Sequence, residues 1–229
     1  MAVRAVIFDW DGTLADTAEA SYRCYVRTFA AFGIAFDREI YASSYSPNWY
    51  HTFRTLGLPE HRWPEADEAW LRNFADETVD LIDGARELFE TLDERGVAIG
   101  IVTSGTRDRV RRELEMHGLA PHVRECVFGS DVAEKKPHPA ALQLCIDRLS
   151  VEPSTATYIG DSPEDIQMAR AAGVLSIAVP GGYPNREALL AAQPDILASS
   201  LHDVARIIGE RSRPVEGMRP RLSANDGRP

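Results

Sequence analysis

Short apolar runs alternate with amphipathic stretches along most of this chain, and that rhythm predicts its elements. Val3–Phe8 is a short, mostly apolar run that stops at Asp9 and reads as a buried strand. Helical spacing follows to about Phe32, with Asp16 as N-cap, Glu19 at N3 and Gly33 as the stop. Residues 34–82 carry no convincing strand; helical patterns stand around Trp49–Leu56 and Pro64–Leu81, with turn residues between them. From Gly84 the rhythm changes. A helix over Ala85–Arg95, closed by Gly96, precedes the β-branched run Val97–Thr103. Arg107–His117 (helix, closed by Gly118), Arg124–Phe128 (strand) and Pro139–Leu149 (helix) come next. Ala156–Gly160 is a strand, Pro163–Ala172 a helix closed by Gly173, and Val174–Val179 a strand. A further helix, a short strand near Asp195–Ala198 and a helix over Leu201–Gly209 complete the pattern.

Strands alternating with helices of about ten residues imply βαβ units. The fold class expected is α/β: a doubly wound parallel, Rossmann-like sheet, interrupted after its first strand by an all-helical insert. The expected division is an α/β core from residues 1–16 and 83–210, a helical domain from 17–82, and a tail over 211–229. That tail is rich in Arg, Pro, Gly and Ser and is expected to be disordered. No internal repeat is visible.

Composition removes several function classes. A formal net charge of −10 argues against nucleic-acid binding, which needs a basic face. Cys24, Cys126 and Cys145 are odd in number and widely spread, so they make neither a disulfide framework nor a metal-ligand pattern. There is no secretory signal, and no stretch approaches the ~20 apolar residues of a membrane span. The expectation is a cytoplasmic protein, monomer or homodimer, with a small-molecule partner and no nucleic acid or membrane. Lys135 and Lys136 are the only lysines, so any role that requires a lysine has two adjacent candidates.

In open α/β sheets ligands bind at the carboxyl ends of the strands. The first strand is followed by Asp9-Trp10-Asp11-Gly12-Thr13-Leu14, the second ends in Thr103-Ser104-Gly105, Lys135-Lys136-Pro137 follow the third, and Gly160-Asp161-Ser162-Pro163-Glu164-Asp165 close the fourth. This set suits phosphoryl transfer. Carboxylates hold magnesium, a carboxylate can act as nucleophile, and a lysine, a hydroxyl and backbone N–H groups stabilise phosphoryl charge. A second carboxylate two residues along emerges on the same side of an extended segment and can serve as acid and base.

DWDGTLADT resembles the first motif, DxDGTLxD, of the haloacid dehalogenase-like hydrolase superfamily, and GDSPEDIQMARAAGV resembles its fourth. The other two motifs stand in order between them. The resemblance implies that Asp9 is the nucleophile and that Asp11 protonates the leaving oxygen and then activates water, its backbone carbonyl holding Mg²⁺. It implies that Asp161 is a metal ligand, that Thr103 with the N–H groups of Ser104 and Gly105 binds phosphoryl oxygens, and that Lys136 pairs with phosphate and Asp9. Asp165 supports the metal from behind, a role compatible with N3 of a capping box started by Ser162. Gly181-Gly182-Tyr183 resembles a family turn.

The helical insert resembles the small cap of this superfamily, with specificity expected in Ser43–His51, Trp49 included. Arg54 either meets a second anionic group of the substrate or sits on the solvent face. The activity implied is a Mg²⁺-dependent phosphatase of the phosphoglycolate phosphatase type, working through an aspartyl-phosphate. Asp11 argues against dehalogenation, the absence of lysine from the insert argues against phosphonatase chemistry, and Gly160 stands where sugar-phosphate mutases usually carry Glu. A mutase, a receiver-type switch and a catalytically silent metal-binding protein are the remaining alternatives.

Overall fold

Ala5–Phe8 forms the first strand, β1, and all four residues are buried. Alternate side chains enter different cores. Val6 and Phe8 pack with Ile99, Ile101, Leu88, Phe89, Val110 and Val204 on one face, and Ala5 and Ile7 with Val102, Leu142, Ile146 and Met168 on the other. A strand with period-two side chains shows no polar alternation when helices cover both faces. The computed structural model describes residues 2–46 and 48–211. The expected tail therefore lies outside the described residues, apart from Arg211.

Four helices follow β1: α1 (Ala18–Ala31), α2 (Arg38–Ser44), α3 (Trp49–Thr55) and α4 (Trp63–Ala75). The alternation then resumes with α5 (Ala85–Glu94), β2 (Ala98–Thr103), α6 (Arg107–Met116), β3 (Val123–Phe128) and α7 (Ala140–Leu149). It continues with β4 (Ala156–Gly160), α8 (Pro163–Ala171), β5 (Leu175–Ala178), α9 (Arg186–Ala191), β6 (Ile196–Leu197) and α10 (Leu201–Arg211). The six strands are parallel in the order β3-β2-β1-β4-β5-β6. The strand order reverses direction between β1 and β4, so β1 sits at the switch point where ligands of such sheets bind. Among the described residues no helix is long and apolar enough to cross a membrane. The three cysteines are unpaired, and burial pushes the Cys24 and Cys126 thiols up to about 11.

The helices between β1 and α5 pack a core of their own around Tyr25, Phe29, Phe36, Tyr41 and Phe53. Three details depart from the sequence pattern. Helix α2 is absent from it: seven residues are too short for a periodic stripe, and the helix is started by its cap, Asp37, whose side chain accepts from the Ile40 N–H at 2.9 Å. Helix α4 stops at Ala75 rather than Leu81, because the chain extends there. The Asp16 N–H donates to the Asp80 carbonyl and the Ile82 N–H to that of Leu14, at 2.9 and 2.8 Å. The same pairing removes Asp16 as N-cap of α1. Held extended and exposed, it makes no capping bond; Thr17 takes the cap position, and its hydroxyl meets that of Tyr183 at 2.9 Å instead.

Candidate active site

Three neighbouring strands place three of the expected side chains together. Asp9 follows β1 directly, its N–H donating to the Ile159 carbonyl of β4 at 2.8 Å. Thr103 ends β2 on one side, and Asp161 follows β4 on the other. All three are buried. Lys136, from the segment between β3 and α7, reaches into the same place. Its Nζ donates to Asp9 Oδ1 at 2.6 Å, to Asp165 Oδ1 at 2.8 Å and to the Tyr158 hydroxyl at 2.9 Å. Lys135 turns away, donating to the Gly129 carbonyl from an exposed position.

Asp165 is saturated with donors. Besides Lys136, the Tyr158 hydroxyl lies 2.9 Å from Oδ1, while Oδ2 accepts from the Ser162 N–H at 3.1 Å and the Ser162 hydroxyl at 2.6 Å. The Ser162 hydroxyl in turn accepts from the Asp165 N–H, which completes the expected capping box. The fit depends on Gly160, where a Cβ would stand 2.5 Å from Asp165 Cβ.

Asp11 is held differently. Arg109 on α6 grips both its oxygens, Nη1 to Oδ1 at 2.9 Å and Nη2 to Oδ2 at 2.5 Å, in the two-pronged geometry a guanidinium favours. Arg109 also donates to Glu113 at 3.1 Å, and Glu113 accepts from the buried Trp10 indole at 2.6 Å. Gly105 makes this approach possible, since a Cβ there would lie 2.4 Å from Arg109 Nη2. The Gly105 N–H donates to Thr103 Oγ1 at 2.9 Å.

The donor set fits a hard divalent cation. Among the described residues Asp9, Asp161 and Asp165 offer oxygens within 4.8 Å of one another. Asp165 is engaged by donors on both oxygens, which leaves Asp9 and Asp161 as the carboxylates of this group able to face a cation. Asp161 Oδ2 is buried without a hydrogen-bond partner, and its other oxygen meets only the Thr13 hydroxyl, at 3.4 Å. An orphaned buried carboxylate oxygen is costly unless something positive faces it. All-oxygen ligation of few carboxylates suits Mg²⁺. Gly12, at φ +79°, lets the backbone pass this oxygen; a Cβ would stand 2.3 Å from it.

The electrostatics follow from burial. Burial pushes Asp9 up to about 7 against the pull of Lys136, with Asp165 and Asp11 adding to the rise. Burial, then Asp9 and Asp165, push Asp161 well above the usual carboxylate range. For Lys136 burial works toward the neutral form, but Asp165 and Asp9 outweigh it and hold the ammonium above its ordinary value.

A cavity of about 180 Å³ separates this sheet edge from the helices. Asp9, Asp11, Thr103, Ser104, Gly105, Lys136, Asp161 and Asp165 line one wall, and Tyr25, Tyr45, Trp49, Asp67, Trp70 and Leu71 the other. Of the two helical residues singled out from sequence, Trp49 lines the cavity and Arg54 does not. Arg54 lies on the outer surface, paired with Glu60 at 3.2 Å and stacked over Trp63, because position 54 is on the face of α3 opposite the buried Phe53 and Thr52. Sequence reasoning missed Arg109, Glu113, Tyr158, Tyr183 and Asp67. Arg109 and Glu113 share the buried stripe of α6 with Val110 and Leu114, and two charges inside such a stripe are a readable signal. Tyr183 is more than a turn residue: its hydroxyl bonds Thr17 and Ser21, and its ring stacks on Tyr45.

Comparison with known proteins agrees with this geometry. The family model for haloacid dehalogenase-like hydrolases matches residues 6–179. Pyrophosphatase PpaX of Bacillus velezensis is 32% identical over 90% of this chain and 97% of its own length. A phosphoglycolate phosphatase of Pectobacterium atrosepticum is 29% identical over 92% of this chain and 94% of its own. The crystal structure of CbbY from Rhodobacter sphaeroides in complex with phosphate superposes with a TM-score of 0.74 at 27% identity, covering 87% of this chain and 95% of that one.

Proposed function

The chain belongs to the haloacid dehalogenase-like hydrolases, and on that premise we propose that it is a Mg²⁺-dependent phosphatase of small phosphate esters, acting through a phosphoryl group carried on Asp9. One observation carries the reading. Lys136 occupies Asp9 Oδ1, which leaves Oδ2 as the oxygen free to attack, beside a second carboxylate on Asp11 and an orphaned one on Asp161. The phosphatase names of relatives such as PpaX and the Pectobacterium enzyme agree with it.

The chemistry follows from these positions. Asp9 Oδ2 attacks phosphorus, the bond to the leaving oxygen breaks, and Asp11 gives that oxygen its proton. Water then attacks the phosphoryl-Asp9, Asp11 takes the water proton, and the bond to Asp9 breaks to release phosphate. Lys136 aims Asp9 and favours its charged form against burial; the Thr103 hydroxyl, oriented by the Gly105 N–H, and the Ser104 N–H receive the phosphoryl oxygens. Bound between Asp9 and Asp161, with the Asp11 carbonyl, Mg²⁺ would neutralise phosphoryl charge. Arg109 grips both Asp11 oxygens, so one of them must leave the guanidinium to carry the proton while the other keeps the side chain in place. Gly160 stands where sugar-phosphate mutases of the family usually carry Glu, and a Cβ there would lie 2.5 Å from Asp165 Cβ, which favours the phosphatase reading. The four helices act as the cap that closes over the ester and excludes water.

The test is turnover of a panel of phosphate esters by purified protein, with Mg²⁺ and with chelator, followed by mass analysis of quenched enzyme. Phosphate trapped on Asp9, and activity lost in chelator, are expected. Full activity in excess chelator, or phosphate on another residue, would sink the reading.

A further inference from the structure

The helical wall of the cavity carries a chemistry unlike that of the sheet edge. Most of its residues are aromatic, with Leu71 and the hydroxyls of Ser21 and Ser46 beside them, and it carries one carboxylate, Asp67 on α4. Asp67 Oδ2 accepts from the Tyr50 hydroxyl at 2.7 Å. Oδ1 is buried with no hydrogen-bond partner, and so are the indole N–H groups of Trp49 and Trp70. Burial raises the Asp67 carboxyl above its usual range, against the pull of the Tyr50 hydroxyl and of Trp49, whose indole lies close without meeting hydrogen-bond geometry. Three orphaned polar atoms, one acceptor and two donors, therefore lie in one wall of one cavity.

The cations of the cavity are Lys136 and Arg109, and both are committed: Lys136 to Asp9 and Asp165, Arg109 to Asp11 and Glu113. Arg54 faces outward. A leaving group with a second negative charge would meet Asp67 and no free cation on this wall, a repulsion that selects against it.

Resting on the phosphatase reading, we propose that Asp67 is a specificity-determining residue and that the ester taken has a neutral, hydroxyl-bearing leaving group, a sugar or polyol. A hydroxyl donates to Asp67 Oδ1 and accepts from an indole N–H in the same contact. An ammonium donates only and leaves both indoles unmatched. A purely apolar group leaves all three atoms unmatched. The rings of Trp49, Trp70 and Tyr25 supply flat apolar surface for the C–H face of such a body. This class differs from the leaving groups that the names of PpaX and the phosphoglycolate phosphatase imply for those relatives.

Binding is read apart from turnover by calorimetry on full-length Asp9→Asn in Mg²⁺, with ribose 5-phosphate and glucose 6-phosphate against phosphoglycolate and pyrophosphate. At least one sugar phosphate is expected to bind about tenfold tighter than either anionic ligand, the scale of one hydrogen bond to a charged group. Adding Asp67→Asn keeps the acceptor for Tyr50 and removes the charge, and should narrow that ratio about tenfold. Phosphoglycolate or pyrophosphate binding as tightly as both sugar phosphates, no sugar phosphate binding at millimolar concentration, or a ratio unmoved by Asp67→Asn each overturns the assignment. Wild-type protein that hydrolyses none of the four, while the binding ratio holds, refutes the hydrolytic reading and leaves the pocket assignment supported.

Discussion

The two walls of the cavity are built on opposite terms. On the sheet edge nearly every catalytic oxygen has a donor: both of Asp165, both of Asp11 and one of Asp9. The exceptions are Asp9 Oδ2, the proposed attacking oxygen, and Asp161 Oδ2, which would face the cation. On the helical wall Asp67 Oδ1 and the indole N–H groups of Trp49 and Trp70 are left unmatched amid mostly aromatic surface. A wall that must hold charges within tenths of an ångström is fixed in advance, because catalysis depends on geometry that does not reorganise. A wall that sorts substrates can remain incomplete until one arrives. Changes to the first wall should therefore remove rate, and changes to the second should redirect it.

The sharpest way to break this contrast is Asp9→Asn. The amide keeps the bond with Lys136 but cannot form the phosphoryl intermediate, so kcat should fall by about 10⁴-fold or more. Removing a buried carboxyl that resists charging should not lower the melting temperature of metal-free protein at pH 8. A loss of activity accompanied by unfolding would make the residue structural.

Lys136→Ala comes next. It strands Asp9 and Asp165 in a buried site, and an unpaired buried charge costs about 3–5 kcal/mol of stability, together with about 10²–10³-fold in kcat. Lys136→Arg should not restore the rate, because three compact donors directed at Asp9, Asp165 and Tyr158 are not matched by a planar fork. Lys135→Ala should leave the rate within about twofold, as a surface change does. Should Lys135 prove the essential lysine, the sheet edge has been misread.

Arg109→Lys sharpens the comparison at its border, since Arg109 touches both Asp11, the proposed acid and base, and the ring of Phe74 on the helical side. A lysine cannot hold both Asp11 oxygens. Misplacement of a proton-transfer group by about 1 Å costs about 10²-fold, so kcat should fall by about 10–100-fold with KM within about twofold. A rise in KM at constant kcat would instead place Arg109 among the substrate contacts.

The first wall was legible in the sequence and the second was not, for a physical reason. Asp9, Thr103 and Asp161 are each attached to the end of a run of buried strand residues, and the parallel sheet aligns those ends, so local pattern and site coincide. Asp67 and Trp70 sit three apart on α4, Trp49 and Tyr50 on α3, and the place where they meet is set by how two short helices pack. That packing carries no local signature. The boundary errors have the same origin: α2 depends on its cap, α4 ends where chain 80–82 pairs with 14–16, and Asp16 belongs to that pairing rather than to a cap. Arg109 stood between, since a charge in a buried helical stripe can be seen but its partner cannot.

Metal removal tests the orphaned oxygens with a smaller effect. Burial raises Asp9 from 3.8 to about 7 and raises Asp161 as well. The folded, metal-free protein thus holds protons that the unfolded chain has already lost. The stability this contributes is complete below about pH 4 and is lost as pH rises through about 7. The melting temperature in chelator should drop by a few degrees between pH 6 and pH 8, and Mg²⁺ should restore it more at pH 8 than at pH 6. A metal-free melting temperature that climbs over this range would contradict the burial of these carboxyls.

The smallest effect is expected at Arg54, which makes it the cleanest check on where the selective wall ends. As the one arginine singled out from the sequence for a second anionic group, it would, if that were its role, lose phosphoglycolate selectively on conversion to alanine. In the structure its guanidinium is exposed, bonded to Glu60 and resting on Trp63, and it is absent from the cavity lining. An exposed ion pair contributes at most about 1 kcal/mol, and the ring contact a similar amount. Arg54→Ala should therefore change kcat/KM for phosphoglycolate, a hexose phosphate and a small aryl phosphate by less than about twofold each, with the melting temperature lower by at most about 4–8 °C. Trp63 separates this surface from Tyr50, whose ring stacks on it at 5.0 Å and whose hydroxyl holds Asp67. A selective effect of Arg54→Ala on any one ester would mean that the specificity surface extends outward through that stack, and the division between a fixed wall and a sorting wall would have to be redrawn to include it.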